Sequence, residues 1–308
     1  SGSAASVAAG MLFGSMGTCT GGSIRGPASY CSVVGLKPSY GLVSRAGVFP
    51  LSWSIDHAGP MTRTVEDCAL MLQAVAGYDP RDPSSVNISI PDFAAGLDGD
   101  IRGMRIGITT ELNNEGSPET TKLVNEAFDV LRQLGATVEE VSVPITGDYA
   151  TVAGNVITWT EAARIHAPWT DRLEEYSVGV REKVLVGSVM PSSFYHKAQE
   201  MRRAVQRELD QVLDKYDVLV GYVTNDVAGL LVVGTTGGTA MGMASVRSST
   251  RPYNLTGMPS ISVPCGFNSA GLPVGLQITG RLFQDSTVLK VAHAYEQAAG
   301  FYDKHPEV

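Results

Sequence analysis

The stretch GTCTGGSIRGPASYC, Gly17 to Cys31, holds the residues best suited to chemistry. Three glycines and three hydroxyls precede Arg25 within nine residues. A phosphate loop needs lysine after GxxxxG, and here Ser23 follows Gly22. A dinucleotide fingerprint needs GxGxxG after a strand, and neither requirement is met. The elbow GxSxG needs glycine at position 25, which is Arg25. What remains is a serine on a turn lined by glycine. Two glycines before Ser23 permit unusual backbone angles and remove side-chain bulk. The N–H groups of Thr20, Gly21, Gly22 and Ser23 could then converge on one point, a nest suited to an oxyanion. The alternative is a glycine-rich loop passing under a helix, and composition alone leaves both open.

A serine hydroxyl needs a base. The histidines are His57, His166, His196, His293 and His305, and only His57 has a carboxylate neighbour, Asp56. Adjacent side chains of an extended segment point to opposite faces, so a Ser–His–Asp arrangement is not expected. The cysteines Cys19, Cys31, Cys68 and Cys265 form no CxxC pair and read as free thiols, not as a zinc site or disulfide framework.

The elements that must position Ser23 follow from periodicity. The 308 residues are 44% hydrophobic and 18% charged, a globular composition. A net charge of −8 without basic runs disfavours nucleic-acid binding. No apolar run is long enough for a membrane span. Ala4 to Phe13 reads as a small-residue helix, and CSVVGLKPSYGLVS as turns and short strands. Thr64 to Ala76 is an amphipathic helix with Thr64 and Asp67 spaced as a capping box and Gly77 as its stop. MRIGITTE, the helix Glu119 to Leu134 and ATVEEVSVP form a strand–helix–strand unit. Residues 150–215 read as mostly helical, DVLVGYV as a buried strand and residues 228–244 as loop. PSISVPCGF and PVGLQITG make a strand pair before a last helix, Ser286 to Ala299.

Four segments, SGSAASVAAG, GTCTGGSIRGPASYCSVVGLKPSYG, SWSIDHAGPMTRTVEDCALML and NLTGMPSISVPCGF…GLPVGLQITG, resemble the amidase signature family of serine hydrolases, in order and over nearly the whole chain. The resemblance implies an α/β fold: one α/β/α domain around a large, twisted, mixed sheet. Within 1–308, residues 1–90 would be the catalytic signature region, 91–145 a strand–helix–strand, 146–250 a helical, substrate-facing region, and 251–308 the C-terminal strands and helix. It implies a Ser–cisSer–Lys group in which a neutral lysine takes a proton through a cis-peptide serine. The nucleophile maps to Ser23, and the oxyanion amides to Thr20, Gly21, Gly22 and Ser23. Arg25 matches the family arginine two positions on, with a structural and charge-orienting role or a plain buried ion pair.

Three departures stand out. The family's cis-serine falls ahead of residue 1 and its lysine further upstream, so the chain reads as the C-terminal part of a longer protein, with its N-terminal portion missing. Ser1 and Ser3 do not take the missing roles. Cys19 stands where the family usually has aspartate, and a thiol accepts hydrogen bonds only weakly. The segment after DVLVGYV lacks a proline-rich stretch common in relatives.

The implied activity is hydrolysis of a linear amide, or a related carbamate (as in a urethanase) or ester, through a Ser23 acyl-enzyme. The implied substrate is a small molecule, with no cofactor or metal, no nucleic-acid or membrane partner, a cytoplasmic location and room for a homodimer. Residues 150–200 and 224–250 are expected to line the pocket, the latter apolar. The runner-up is the A-type subunit of glutamyl-tRNA(Gln) amidotransferase, which VEDCALMLQAVAGYDPRDPSS resembles, although an apolar 228–244 stretch suits a free amino acid poorly. A non-catalytic scaffold or binding protein of the same fold is the alternative from another class.

Overall fold

The computed structural model describes residues 2–113, 116–230, 248–304 and 306. Most of the segment expected to be an apolar loop at 228–244, and with it much of the expected pocket lining at 224–250, lies outside the described residues.

The chain opens with α1 (Gly2–Ala8), β1 (Gly14–Cys19), α2 (Arg25–Tyr30), β2 (Val34–Lys37), β3 (His57–Thr62) and α3 (Val65–Val75). It continues through β4 (Arg105–Thr109), α4 (Pro118–Gln133), β5 (Thr137–Val141), α5 (Asp148–His166), α6 (Val178–Ser188) and α7 (Ser192–Leu213). β6 (Val218–Tyr222), α8 (Arg251–Leu255), β7 (Ser260–Phe267), β8 (Pro273–Gly280) and α9 (Asp285–Ala299) complete it.

The strands form one eight-stranded mixed sheet in the order β1-β3-β2-β7-β8-β6-β4-β5. Only β4 runs parallel to its neighbours β5 and β6; the other pairs are antiparallel. Successive strand side chains point to opposite faces, and β6 shows the consequence. Val218, Val220 and Tyr222 join a core with Leu72 of α3, Phe128 of α4 and Val288 of α9. Leu219 joins a second core with Ile157 of α5, Leu209 of α7 and Leu255 of α8. A strand buried on both faces reads as a continuous apolar run, which is why DVLVGYV is legible. A third, smaller core joins Ala4 and Val7 of α1 to Cys19, Ile24 and Ala28.

Two sequence expectations shift. The first helix ends at Ala8, not Phe13: the chain turns at Gly10, and Met11 and Phe13 are exposed. The glycine-rich GSMGTC is the edge strand β1, paired with β3 from Gly14↔Thr62 to Cys19↔His57. The cap on α3 is as the spacing predicts, with the Asp67 N–H donating to Thr64 Oγ1 at 3.1 Å.

The same N-terminus of α3 carries a pH dependence. Glu296 of α9 is buried, its Oε1 accepts the Val65 N–H at 2.9 Å, and its Oε2 has no partner among the described residues. Burial raises its carboxyl from the usual 4.5 to about 7. The native state therefore holds this proton to higher pH than the unfolded chain. Stability contributed by the protonated group falls as pH rises from the ordinary carboxylate range through about 7. Glu296→Gln keeps an acceptor for Val65 and removes the buried charge. It is expected to stabilise the fold by about 1–3 kcal/mol at pH 8 and to change little near pH 4, as read by urea unfolding at the two pH values.

Candidate active site

Ser23 stands at the turn between the edge strand β1 and the short helix α2, and it is exposed. Residues on either side are anchored: Cys19 and Ile24 lie in the third core, and Arg25 is fully buried. The loop is thus a short bridge fixed at both ends with its serine facing outward.

Each loop residue is held by a specific partner. Thr20 Oγ1 donates to Asp56 Oδ1 at 2.5 Å, while Asp56 Oδ2 accepts the N–H groups of Leu51 and Ser52 at 2.7 and 2.8 Å. The 51–56 segment is itself tied to α5 by Glu161, which is buried and accepts from Ser52 Oγ, Ser54 Oγ and Tyr195 Oη at 2.6, 2.7 and 2.9 Å. From α8 and the residue before it, Asn254 Nδ2 donates to the Cys19 carbonyl at 3.0 Å. Arg251 Nη1 reaches the Thr20 carbonyl at 3.5 Å, and Thr250 Oγ1 donates to the Gly21 carbonyl at 2.7 Å.

The four amides expected to form the nest are not equivalent. The Gly22 N–H donates to Cys19 Sγ at 3.2 Å, so it is turned inward and is not free for an oxyanion. Among the described residues the N–H groups of Thr20, Gly21 and Ser23 have no acceptor. Gly22 has φ +134°, a conformation that side chains rarely adopt.

Among the described residues Arg25 has no carboxylate partner, and neutral oxygens hold its guanidinium. Its Nη1 donates to Ser260 Oγ at 2.9 Å and Gln277 Oε1 at 2.7 Å; its Nη2 donates to the Thr250 carbonyl at 3.1 Å and to Asn254 Oδ1. Arg25 therefore links α2, β7, β8 and α8 beneath the loop. Burial pushes the Cys19 thiol up, but the Arg25 guanidinium, with hydrogen bonds from the backbone and Asn254, brings it below its ordinary value. Cys19 thus lies beside this buried guanidinium, with its Sγ within hydrogen-bond distance of Asn254 and the Gly22 N–H. Cys19→Ala, which strands the Gly22 N–H, is expected to cost about 1–3 kcal/mol. Cys19→Asp is expected to recover that loss, with thermal unfolding of the three proteins as the check.

Lys37 and His57, the other ionisable groups beneath the loop, are engaged away from Ser23. Lys37 is fully buried, donates to the Pro38 carbonyl at 3.1 Å, and is held well below the usual lysine range by burial and the Arg25 charge. His57 is buried, and its Nδ1 meets the Ile55 carbonyl at 2.6 Å. Burial and the Lys37 charge hold its imidazole well below the usual histidine range. With Asp56 turned to Thr20, Leu51 and Ser52, the sequence expectation that these neighbours do not form a Ser–His–Asp group agrees with the geometry. Among the described residues Ser23 Oγ has no hydrogen-bond partner. Residues 167–176, within the stretch expected to face substrate, border a cavity of about 220 Å³ lined by Phe49, Trp169, Arg172, Glu175 and Tyr176. The nucleophile loop does not line it.

Sequence reasoning singled out Ser23, Cys19 and Arg25, and Asp56 as a neighbour of histidine. It assigned no individual role to Glu161, Thr250, Arg251 or Asn254, although Glu161 and Thr250 fall in the ranges expected to line the pocket and Asn254 opens a family-like segment; all lie on other elements and share no spacing with the glycine motif.

A fold of this topology with this loop defines a family. The amidase family model matches residues 1–289, and the chain belongs to the amidase signature family. Its relatives include a protein of Brevibacillus brevis named as the A subunit of glutamyl-tRNA(Gln) amidotransferase. The two are 41% identical, covering 99% of this chain and 67% of that protein. The crystal structure of the A subunit of glutamyl-tRNA(Gln) amidotransferase from Thermotoga maritima superposes with a TM-score of 0.82 at 34% identity, covering 96% of this chain and 64% of that one. The structure of a bacterial aryl acylamidase of the amidase signature family superposes with a TM-score of 0.86 at 28% identity, covering 98% and 66%. The chain therefore spans about two thirds of the length of the relatives it matches.

Proposed function

We propose that this chain carries the nucleophile and oxyanion cradle of an enzyme that cleaves an amide C–N bond, and that the amide is the side chain of glutamine, used as an ammonia source together with a partner protein. The observation that supports the chemistry is an exposed Ser23 beside three unengaged N–H groups on a loop whose carbonyls are bound from behind. Ser23 Oγ attacks the carbonyl, and the oxyanion is stabilised by Thr20, Gly21 and Ser23 N–H groups. The C–N bond breaks, the amine leaves with a proton, and water releases the acyl group from Ser23. The family's upstream lysine and cis-serine would move the protons.

The choice of glutamine rests on the names of the curated relatives at 40–43% identity, and it displaces the free linear-amide hydrolase that the sequence put first. The linear-amide reading keeps one observation in its favour, the higher TM-score to the aryl acylamidase, 0.86 against 0.82. Carbamates and esters pass through the same oxyanion. Among the described residues no helix is long and apolar enough to cross a membrane, and the reading places the enzyme in the cytoplasm. Ammonia release from glutamine is measured on the longest polypeptide carrying this chain, with and without candidate partner proteins, beside a panel of linear amides. Glutamine turnover that rises with a partner supports the proposal; turnover of linear amides alone overturns it in favour of the second reading.

A further inference from the structure

The described contacts of Thr250, Arg251 and Asn254 with the nucleophile loop run in reverse register. Asn254 binds the carbonyl of Cys19, Arg251 that of Thr20, and Thr250 that of Gly21. Three consecutive carbonyls are thus bound by one helical turn. In a planar trans peptide the carbonyl and the following N–H point in opposite directions. Binding the carbonyls of residues 19, 20 and 21 therefore fixes where the N–H groups of residues 20, 21 and 22 point. The third of these is seen directly: Gly21 O faces Thr250, and the Gly22 N–H faces Cys19 Sγ. The first two have no acceptor among the described residues.

The glycines fit the same arrangement. A Cβ on Gly21 would lie 2.7 Å from the Arg251 guanidinium carbon, and a Cβ on Gly22 would lie 2.3 Å from Thr250 Oγ1. The space a side chain would take is filled by the two residues that hold the carbonyls. Arg251 is itself held by Asn155 of α5, whose Oδ1 accepts from Nη2 at 2.9 Å, and its stem passes Gly154, where a Cβ would lie 2.7 Å from Cδ. It has no acidic partner among the described residues.

We infer that Arg251 and Thr250 are positioning residues for the reaction: Arg251, on the Thr20 carbonyl, turns the Gly21 N–H toward the developing oxyanion, Thr250, on the Gly21 carbonyl, holds the Gly22 peptide with its N–H on Cys19 and so fixes the bend that presents Ser23, and Gly21 and Gly22 are glycine because the clamp occupies their side-chain space. The inference rests on Ser23 as nucleophile. Its effect falls on a tetrahedral, negatively charged adduct and leaves a planar amide nearly untouched.

The test uses the longest polypeptide carrying this chain and two probes, phenylboronic acid as the tetrahedral ligand and benzamide as the planar one. Thr250→Val and Arg251→Gln are expected to weaken inhibition by phenylboronic acid about 10- to 100-fold, lower kcat by a similar factor, and shift the benzamide constant by less than about threefold. Thr250→Ser, which keeps the hydroxyl, is expected to retain both. Equal losses for both probes, no loss for either, or equal damage from Thr250→Ser and Thr250→Val overturns the clamp. Gly21→Ala adds a measure that survives poor folding of one variant. It is expected to be several-fold less damaging in an Arg251→Ala background than alone, and additive damage overturns the inference. Boronate inhibition that persists in Ser23→Ala is a failure of the nucleophile assignment, a separate result from any of these.

Discussion

Replacing Ser23 with alanine is expected to lower amide turnover by at least about a thousandfold, because the covalent route then has no acceptor for the acyl group. The unfolding midpoint is expected to stay where it is, since the side chain is exposed and makes no described hydrogen bond. That pairing matters. A loop residue whose removal abolished activity through unfolding would shift both quantities. Substrate affinity, measured on the inactive variant by calorimetry, is expected to remain close to the wild-type value, which places the loss on the chemical step.

Gly22→Ala is the second large effect, and it acts through backbone geometry. At φ +134° an added Cβ meets steric resistance from its own backbone, and it would also lie 2.3 Å from Thr250 Oγ1. Thr250 must then move, releasing the Gly21 carbonyl it binds at 2.7 Å. The inward hydrogen bond from Gly22 N–H to Cys19 Sγ is disturbed in the same motion. The expected cost is about 1–3 kcal/mol of stability, together with at least about a hundredfold loss of kcat as the nest amides lose their aim. Urea unfolding and steady-state kinetics on the same preparation separate the two contributions. An alanine enzyme with normal kcat would show that the loop reaches the same conformation without the glycine.

What could be read from the sequence was local. Thr64 and Asp67 gave away the start of α3 because the cap is formed within one turn. The strand pair β7 and β8 was visible as two apolar runs around a short polar turn. Ser23 stood out because glycines crowd before it. β1 escaped because glycine has low strand propensity. Its pairing with β3 joins Gly17 to Gly59, a partner no local pattern reveals. α2 escaped because it has six residues, with Gly26 and Pro27 among them. The residues that hold the nest are more distant still: Thr250 contacts Gly21 across 229 positions of sequence. A motif names the atoms that react, whereas the groups that orient them are gathered by the fold.

The charge beneath the loop had the same character. Arg25 was visible two positions after the serine, but not that, among the described residues, hydroxyl, amide and carbonyl oxygens from β7, β8 and the 250–254 turn would surround it without a carboxylate. Cys19 takes on significance in that setting. A thiol beside a buried guanidinium is a chemical neighbour quite different from an ordinary core cysteine such as Cys68, whose thiol burial pushes well above its usual value.

The central claim is tested most directly by catching the acyl group on the protein. The longest polypeptide carrying this chain is mixed with a slowly turned-over activated ester, quenched in acid, digested and read by mass spectrometry. The account predicts an acyl adduct on the peptide containing Ser23, absent from Ser23→Ala. Steady turnover with no adduct there, or an adduct on another residue that forms and decays at the rate of catalysis, would contradict it.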